Sequence, residues 1–261
     1  MAGHALHLPR PSLRFMHVWR RNRLVWRKLA IPSMLGNLAD PMIYMLGLGY
    51  GLGALLPEVG GMSYVAFLAA GTVCSSTMMS ASFESMYSSF SRMHVQRTWD
   101  AIMNAPVTLD DVVAGEVVWA ASKAFLSGAA VLLVAAALGL VSSALALWVL
   151  PLIFLTGLAF GGLGLVMTSL SPSYDFFMYY FTLAITPMML SSGVFFPVEQ
   201  LPGWLQAVAY VLPLTHAVEL ARPLMNGAIP AGAGLHVLVL AGYAAVSLYA
   251  ALVLARRRLL G

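Results

Sequence analysis

Charge is scarce in this chain: aspartate, glutamate, lysine and arginine make up 9% of its 261 residues, whereas hydrophobic residues make up 60%. Soluble domains usually carry charge at about a quarter of their positions, so the composition argues against a water-soluble fold. Apolar stretches near the roughly 20 residues needed to cross a bilayer fill almost everything after residue 30. We therefore expect a cytoplasmic tail with an amphipathic helix over residues 1–30 and one membrane-embedded domain over residues 31–261.

Cysteine and lysine are nearly absent. The single cysteine, Cys74, excludes an intramolecular disulfide and gives no support to redox chemistry. The lysines are Lys28 and Lys123, and neither follows a glycine, whereas a P-loop needs a Gly-rich turn ending in Gly-Lys-Ser/Thr to cradle phosphates. The chain therefore cannot be its own ATPase by that route. If ATP drives the protein, ATP and magnesium are bound by a separate ATPase, and we expect no cofactor in this chain.

Basic residues gather at Arg10–Lys28 and at Arg256–Arg258. This distribution suits an anionic membrane surface and not nucleic acid. On a helical wheel, residues 12–29 place Trp19 and Trp26 on an arc free of charge, with the arginines on the remainder. The segment is predicted to be an amphipathic helix lying in the membrane interface. A solvated helix packed on a soluble domain is the alternative.

Continuous apolar runs of helical length predict an all-α integral membrane protein with six transmembrane helices. The runs cover roughly 32–56, 63–90, 113–141, 145–170, 176–196 and 233–255. With the N-terminus inside, thirteen of the fourteen lysine and arginine residues fall on the cytoplasmic side, and only Arg222 falls outside. Positive residues favour the cytoplasmic side, so both termini are predicted to be cytoplasmic.

The segment before the last span is semi-apolar and punctuated by Pro197, Pro202, Pro213, Pro223 and Pro230. Proline inside a helix removes a backbone hydrogen bond, so one continuous helix is excluded. Two short helices, about 203–211 and 215–225, are predicted instead, as a re-entrant or interfacial hairpin buried in protein or facing water.

Few residues within the predicted spans can carry chemistry. Glu84 is the ionisable side chain set most deeply, so it should face the bundle interior, pair with another group or reach the interface; Tyr87 lies at i+3 on the same face. Asp40, before Pro41, can break the first span, and Asp175 is expected to cap a helix. His216 and Glu219, at i and i+3, are a weak pair for a metal or for catalysis.

The longest cytoplasmic loop between spans, Ser91 to Asp111, contains a short predicted helix closed by Pro106. Apolar Met93, Trp99, Ile102 and Met103 lie among polar groups, a pattern that suits docking into a groove on a partner. Thr108 to Asp111 then resembles a helix start, with acids near its positive end. A simple solvated connector explains the loop equally well.

Several motifs together resemble the nodulation protein J group of the ABC-2 type permeases, over nearly the whole chain from residue 12. Two of them, Ser192–Pro197 and Pro213–Val218, are the most specific to the superfamily. The others are Asp40–Tyr44, Gly47–Gly53, Phe83-Glu84 with Tyr87, Phe90 and Arg92-Met93, Gly115–Ala124, Ser173–Asp175, Thr186–Met188 and Arg222–Leu224.

The resemblance implies an inner-membrane permease that forms a homodimer and binds two copies of a cognate ABC ATPase. It implies export of lipid-linked or amphipathic saccharides, and the nodulation branch is associated with lipo-chitooligosaccharides. The N-terminal helix would be the connector helix at the ATPase, and the Arg92–Pro106 loop the coupling helix. Its contact residues would be Arg92, Met93, His94, Arg97, Thr98, Trp99, Asp100 and Asn104.

Our hypothesis is that closure of the ATPase pair pushes on this loop and tilts the bundle, so that a central path opens outward. Glu84, Tyr87, Tyr179 and Tyr180 are the candidate path residues. An ion-coupled secondary carrier is the alternative, although it would need several acids at mid-membrane. A lipid-modifying enzyme would have to depend on His216 and Glu219, and we expect no enzymatic activity in this chain.

Overall fold

A computed structural model of the protein describes residues 12–56 and 58–259, and helix covers most of them. The first eleven residues of the predicted N-terminal tail, including Arg10, lie outside the described residues. The predicted amphipathic segment forms α1 (Phe15–Trp26), continued by a 3₁₀ turn over Arg27–Leu29.

The remaining elements follow in chain order. The other α-helices are α2 (Ala30–Gly53), α3 (Tyr64–Phe83), α4 (Thr98–Met103), α5 (Leu109–Ala137), α6 (Val149–Leu170), α7 (Phe176–Tyr180), α8 (Thr186–Ser191), α9 (Gly203–Ala209), α10 (Pro213–Met225) and α11 (Ala233–Leu259). Two π-helical turns, Glu84–Ser88 and Ser91–Val95, extend α3, and a third, Phe181–Ile185, joins α7 to α8. Further 3₁₀ turns cover Ala144–Trp148 and Val198–Gln200. A two-residue strand β1 (Glu58–Val59) pairs antiparallel with β2 (Met62–Ser63), with Glu58 opposite Ser63.

Among the described residues, four helical stretches are long and apolar enough to cross a membrane: Tyr64–Val95, Leu109–Ala137, Ala144–Leu170 and Ala233–Leu259. They correspond to the second, third, fourth and sixth predicted spans. The first predicted span forms α2, which carries Asn37 and Asp40, and the fifth forms the shorter apolar helix Phe176–Ser191. The count of six spans remains a prediction.

The core lies around α3, which packs against α2, α5, α6 and α10. Small residues make these contacts close. A Cβ atom at Gly157 of α6 would lie 2.9 Å from the Cα atom of Ala121 in α5, and one at Gly164 would lie 2.7 Å from Cβ of Ser85. Glycine is required at both positions, since a side chain does not fit at such separations. Cys74 of α3 is fully buried in the same core.

One end of the bundle, here named the basic end, gathers α1, α4, the start of α5 and the end of α11. Its apolar centre contains Val18 and Trp99. Thr108 caps α5: its hydroxyl accepts from the Asp111 backbone N–H, and the Asp111 carboxylate accepts from the Thr108 backbone N–H. The predicted helix start is thus confirmed as a capping box. Arg256 of α11 pairs with Asp110 at 2.5 Å, which fixes the last helix to this end.

The opposite end, here named the hairpin end, contains the two short helices predicted between the prolines, α9 and α10. Proline stands at the start of α10, where a missing N–H costs nothing. Arg222 of α10 donates a hydrogen bond to the Gly193 carbonyl at 2.5 Å, and its guanidinium lies 3.6 Å from the centroid of the Phe67 ring. This arginine holds the hairpin against α3.

Two expectations about aspartates are wrong. The first span is not broken at Asp40, because Pro41 lies inside a continuous α2 and removes only a single backbone hydrogen bond. Asp175 stands at the N-cap of α7 but makes no side-chain cap bond. Its backbone is helical, with φ −61° and ψ −28°, whereas a capping side chain needs an extended backbone to reach the first free N–H groups.

Candidate functional site

Four charged side chains from the π-helical extension of α3 and from α5 form a buried group at the basic end, here named the charge cluster: Glu84, Arg92, Glu116 and Lys123. Glu84 is 4% exposed and Glu116 is fully buried. Arg92 bridges the two carboxylates, with Nη2 at 2.9 Å from Oε1 of Glu84 and Nε at 2.9 Å from Oε1 of Glu116. Lys123 Nζ lies 2.8 Å from Oε2 of Glu84. Two positive groups therefore balance two negative ones.

Neutral donors complete the cluster. The Trp119 indole N–H donates to Oε1 of Glu84 at 2.8 Å, and the Ser88 hydroxyl donates to Oε2 at 2.9 Å. The Trp99 indole N–H donates to Oε1 of Glu116 at 3.2 Å. A buried carboxylate is tolerated only when its oxygens are paired and hydrogen-bonded, and both carboxylates satisfy this condition. Of the three outcomes expected for Glu84, pairing is the one observed.

The π-helical turns place the cluster's members. Glu84 opens the first wide turn and Arg92 lies in the second, and each wide turn carries one residue more than an α-turn. The two side chains are eight positions apart, yet their charged atoms meet at 2.9 Å. Wide turns inside helices are frequent at functional sites, and here they carry two of the four members of the charge cluster, Glu84 and Arg92.

A cavity of about 510 Å³ opens beside the charge cluster; it is named the inner cavity here. Residues of α1, α2, the extended α3 and α5 line it, among them Glu84, Arg92 and Lys123. Arg21 of α1 adds a further cation, and burial, together with the nearby positive charge of Arg92, lowers the pKa of its guanidinium. Three cations and one carboxylate face this space, so it is rich in hydrogen-bond donors.

The four candidate path residues divide into two pairs. Glu84 and Tyr87 line the inner cavity. Tyr179 projects from α7 with 64% of its surface exposed, and Tyr180 packs against Phe181 with its hydroxyl buried. Neither Tyr179 nor Tyr180 lines the inner cavity. Tyr174 takes their place there, stacked on Tyr87 with the ring centroids 6.1 Å apart.

Four of the eight predicted coupling residues are buried in the protein or pack against other side chains of it. Arg92 belongs to the charge cluster, and Met93 and Trp99 are buried in the apolar centre of the basic end. The His94 ring packs on Phe90 at 4.5 Å between centroids. Met93 and Trp99 therefore anchor the loop from within and present no apolar surface for a groove on a partner.

The other predicted coupling residues form the surface of the loop. Asp100 of α4 is exposed, as are Arg97 and Asn104 at the two ends of the helix, and Thr98 is partly exposed. Arg97 has a left-handed backbone, with φ 49°, a conformation that few residues other than glycine adopt. It marks a sharp turn between the extension of α3 and α4, and so sets the direction of the short helix.

Sequence reasoning overlooked Glu116, Lys123 and Trp119 as parts of the site. They lie at spacings of three and four along α5, which places them on one helix face. Their position on one face of α5 is the sequence signal that could have identified these three residues. His216, by contrast, lies at the hairpin end with its ring nitrogens bonded to His236 and to the Tyr210 carbonyl. Among the described residues, no group of three or more histidine, cysteine or acidic side chains is placed to hold a metal.

The family model for the ABC-2 type transporter matches residues 14–226, a range that includes the inner cavity, the charge cluster and α4. The chain belongs to the ABC-2 type transporter family. It is therefore a membrane permease subunit of an ABC transporter and a multi-pass protein of the bacterial inner membrane. Permeases of the ABC-2 family generally work with an ATPase subunit. Membership of this family does not favour the alternative of an ion-coupled secondary carrier.

Relatives within the family cover almost the whole chain. Nodulation protein J of Rhizobium meliloti (strain 1021) is 49% identical over 253 residues, 97% of this chain and 97% of the relative. Nodulation protein J of Bradyrhizobium diazoefficiens is 48% identical over 258 residues, 99% of this chain and 98% of the relative. The inner membrane transport permease YadH of Escherichia coli (strain K12) is 23% identical over 208 residues, 79% of this chain and 76% of the relative.

Proposed function

We propose that the chain is the permease of an ATP-driven exporter, moving a lipid-linked or amphipathic saccharide outward across the inner membrane. The proposal includes six spans, with α2 and the Phe176–Ser191 helix as the first and fifth, and both termini in the cytoplasm. It places α1 in the membrane interface as part of a unit covering residues 1–30, and α9 with α10 as a re-entrant hairpin within the unit covering residues 31–261. The chain itself would bind no ATP and catalyse no reaction.

The connection between α4 and the charge cluster is the observation that carries the coupling mechanism. The exposed side of α4 bears Asp100, with exposed Arg97 and Asn104 at its two ends, and its buried side bears Trp99, whose N–H donates to Glu116. Glu116 binds Arg92, and Arg92 binds Glu84 at the wall of the inner cavity. A displacement of α4 is thus transmitted through directional contacts to the cavity, and tightly packed groups move together.

The assembly that we propose has two copies of this permease and two copies of a cognate ATPase, with ATP and magnesium held by the ATPase. Each ATPase would contact α1 and the exposed face of α4. Glu84 and Tyr87, at the inner cavity, would meet the substrate first. The resemblance to the nodulation protein J group, whose name relatives at 47–50% identity carry, implies a substrate class of lipo-oligosaccharides. The donor-rich cavity suits the oxygen atoms of such a molecule.

The coupling role is tested by the paired change Arg97→Ala and Asp100→Ala. Both side chains are exposed, so we expect folding to be unaffected, whereas recruitment of the cognate ATPase to permease-containing membranes should fall at least about tenfold, as expected when central contacts of an interface are removed. Glu199→Gln, at the exposed surface of the hairpin end, is the matched control. Unchanged recruitment by the double variant would remove α4 from the interface.

The energy source is tested separately in proteoliposomes that contain both subunits. We expect vanadate to abolish transport and a proton ionophore to leave it intact. If the proton ionophore abolished transport, vanadate left it intact and the permease alone transported, the ion-coupled carrier would be the better assignment.

A further inference from the structure

A second cavity, of about 350 Å³, lies farther along the bundle toward the hairpin end; it is named the middle cavity here. Thr72, Ser75, Ser76 and Ser80 of α3 line it together with Asn37 and Asp40 of α2. No lysine or arginine lines it, in contrast to the inner cavity. Hydroxyl, amide and carboxylate groups therefore dominate its polar surface.

The two cavities lie along one groove between α2 and α3. Leu29 and Ser33 line the inner cavity, and Asn37, Asp40 and Tyr44 line the middle cavity. Positions spaced by three or four residues share one helix face, so a single face of α2 borders both spaces.

On the α3 side of the groove, aromatic rings connect the two cavities. Phe83 lines the middle cavity and Tyr87 lines the inner one. Their rings stack with centroids 5.3 Å apart, and Tyr87 stacks in turn on Tyr174. The three stacked rings therefore extend from the middle cavity to the inner cavity.

Two groups in the middle cavity lack partners. Ser80 is 6% exposed, yet its hydroxyl makes no hydrogen bond with any residue that the structure describes. Asp40 is exposed at the α2 side of the cavity, and its carboxylate makes no hydrogen bond or ion pair within the same residues, although it lies halfway along a helix predicted to cross the membrane. A buried hydroxyl is normally paired, and a carboxylate in a membrane marks a substrate pathway or a polar partner. Both observations indicate a ligand that supplies hydrogen bonds.

We propose that the middle cavity is the binding site for the neutral, polyhydroxylated headgroup of the transported amphiphile, with Asp40 and Ser80 as its specificity-determining residues. The proposal rests on the proposed export function and adds the site and its chemistry. The Asp40 carboxylate accepts hydrogen bonds from neighbouring hydroxyls of the headgroup, and bonds to an ionised acceptor are the strong ones. The Phe83 ring, 46% exposed at the cavity, offers an apolar surface to a sugar ring of the headgroup.

Other headgroups fit this cavity less well. A phosphate would meet a carboxylate and no cation. A quaternary ammonium group neither donates nor accepts a hydrogen bond, so it would leave the buried Ser80 hydroxyl without a partner. A polyol, whose hydroxyls both donate and accept, can bond to Ser80 and to the Asp40 carboxylate.

The test uses the full-length permease in lipid nanodiscs, without any ATPase. The probes are three fluorescent amphiphiles with one tail and different headgroups: maltoside, phosphate and trimethylammonium. We expect saturable binding of the maltoside in preference to the other two, weakened about tenfold or more in Asp40→Asn and in Ser80→Ala, as expected for loss of a hydrogen bond to a desolvated group. Glu199→Gln is the carboxylate control and should bind like the unmodified chain.

Several outcomes would overturn the proposal. These are absence of saturable maltoside binding, tighter binding of the phosphate or ammonium probe, or equal affinity in Asp40→Asn and the unmodified chain. A change in the self-association of Asp40→Asn, with its maltoside affinity intact, would assign this face of α2 to a second copy of the chain instead. Because this assay contains no ATPase, its failure is independent of the recruitment assay with Arg97 and Asp100.

Discussion

The ammonium group of Lys123 lies 2.8 Å from Oε2 of Glu84 and joins α5 to α3 within the buried charge cluster. Glu84 also accepts from Arg92 through its other oxygen. One carboxylate therefore holds two cations, and its removal leaves Lys123 without its carboxylate partner among the described residues and Arg92 with Glu116 alone.

Neutralising that carboxylate should destabilise the fold. We expect Glu84→Gln to lower the free energy of unfolding by about 3 kcal/mol, because breaking one side of a buried ion pair leaves an uncompensated charge. The measurement is thermal unfolding in detergent. In Glu84→Gln with Lys123→Met, the loss should be smaller than the sum of the two single losses, since contacting residues couple. Strict additivity would show that the ion pair contributes nothing.

The Trp99 indole should matter for stability and the neighbouring Asp100 should not. Trp99→Phe keeps most of the buried ring but removes the donor to Glu116, so we expect a loss of about 1–3 kcal/mol in the free energy of unfolding. Asp100→Ala alters an exposed side chain and should stay within about 0.5 kcal/mol. Equal effects of the two changes would contradict the assignment of Trp99 as the anchor of α4.

Close packing between α5 and α6 is tested by one methyl group. Gly157→Ala places a carbon 2.9 Å from the Cα atom of Ala121, and we expect a loss of about 1–3 kcal/mol from overpacking. In Gly242→Ala of α11 the new methyl group meets open space within this chain, so the change should be neutral or gain up to about 1 kcal/mol in helix propensity. The measurement is thermal unfolding of the two variants. Equal stability would show that α5 and α6 are not closely packed at Gly157.

Acid should weaken the hairpin end. His216 bonds to His236 through the two Nδ1 atoms at 2.8 Å and to the Tyr210 carbonyl through Nε2 at 2.9 Å. Nε2 then carries the proton, and Nδ1 of the neutral ring accepts from His236. Burial lowers the pKa of the His216 imidazole, and the His236 ring nearby lowers it further.

The sign of the pH effect follows from that lowered pKa. As the pH falls below the ordinary histidine pKa of about 6.5, His216 binds a proton in the unfolded chain but stays neutral in the folded chain. His216 thus contributes its full stability above that value and loses it as the pH falls toward its own lower pKa. The midpoint of thermal unfolding should drop over this window, and the drop should shrink in His216→Gln but persist in His17→Gln, an exposed site. An unchanged drop in His216→Gln would assign the effect to other groups.

Much of the helical layout follows from the sequence, because a long apolar run in lipid must form its backbone hydrogen bonds within itself, and a helix does so. The predicted runs 63–90 and 145–170 agree with the observed stretches Tyr64–Val95 and Ala144–Leu170 to within a few residues. The proline pattern also divides the segment before α11 into α9 and α10 correctly. These features depend on local hydrogen bonding, which a single sequence reveals.

The charge cluster was less accessible to prediction. Glu84 stood out as an acid within an apolar run, but two of its partners, Trp119 and Lys123, come from α5. Which two helices come into contact cannot be deduced from the sequence of either one. Trp99 reads as an exposed apolar residue in a polar loop, whereas its indole N–H reaches Glu116 because the left-handed turn at Arg97 folds α4 against the bundle. A pairing that depends on tertiary packing is invisible to periodicity.

The burial of the chain's single cysteine has a practical consequence for mapping the protein in a membrane. Cys74 has no exposed surface, so a maleimide dye should leave the folded, unmodified protein colourless, since an enclosed thiol is inert. A cysteine introduced at Asp100 or at Glu199 would then be labelled alone, on a background that needs no prior substitution. Adding an impermeant dye to intact spheroplasts would reveal directly which of these two positions faces the periplasm.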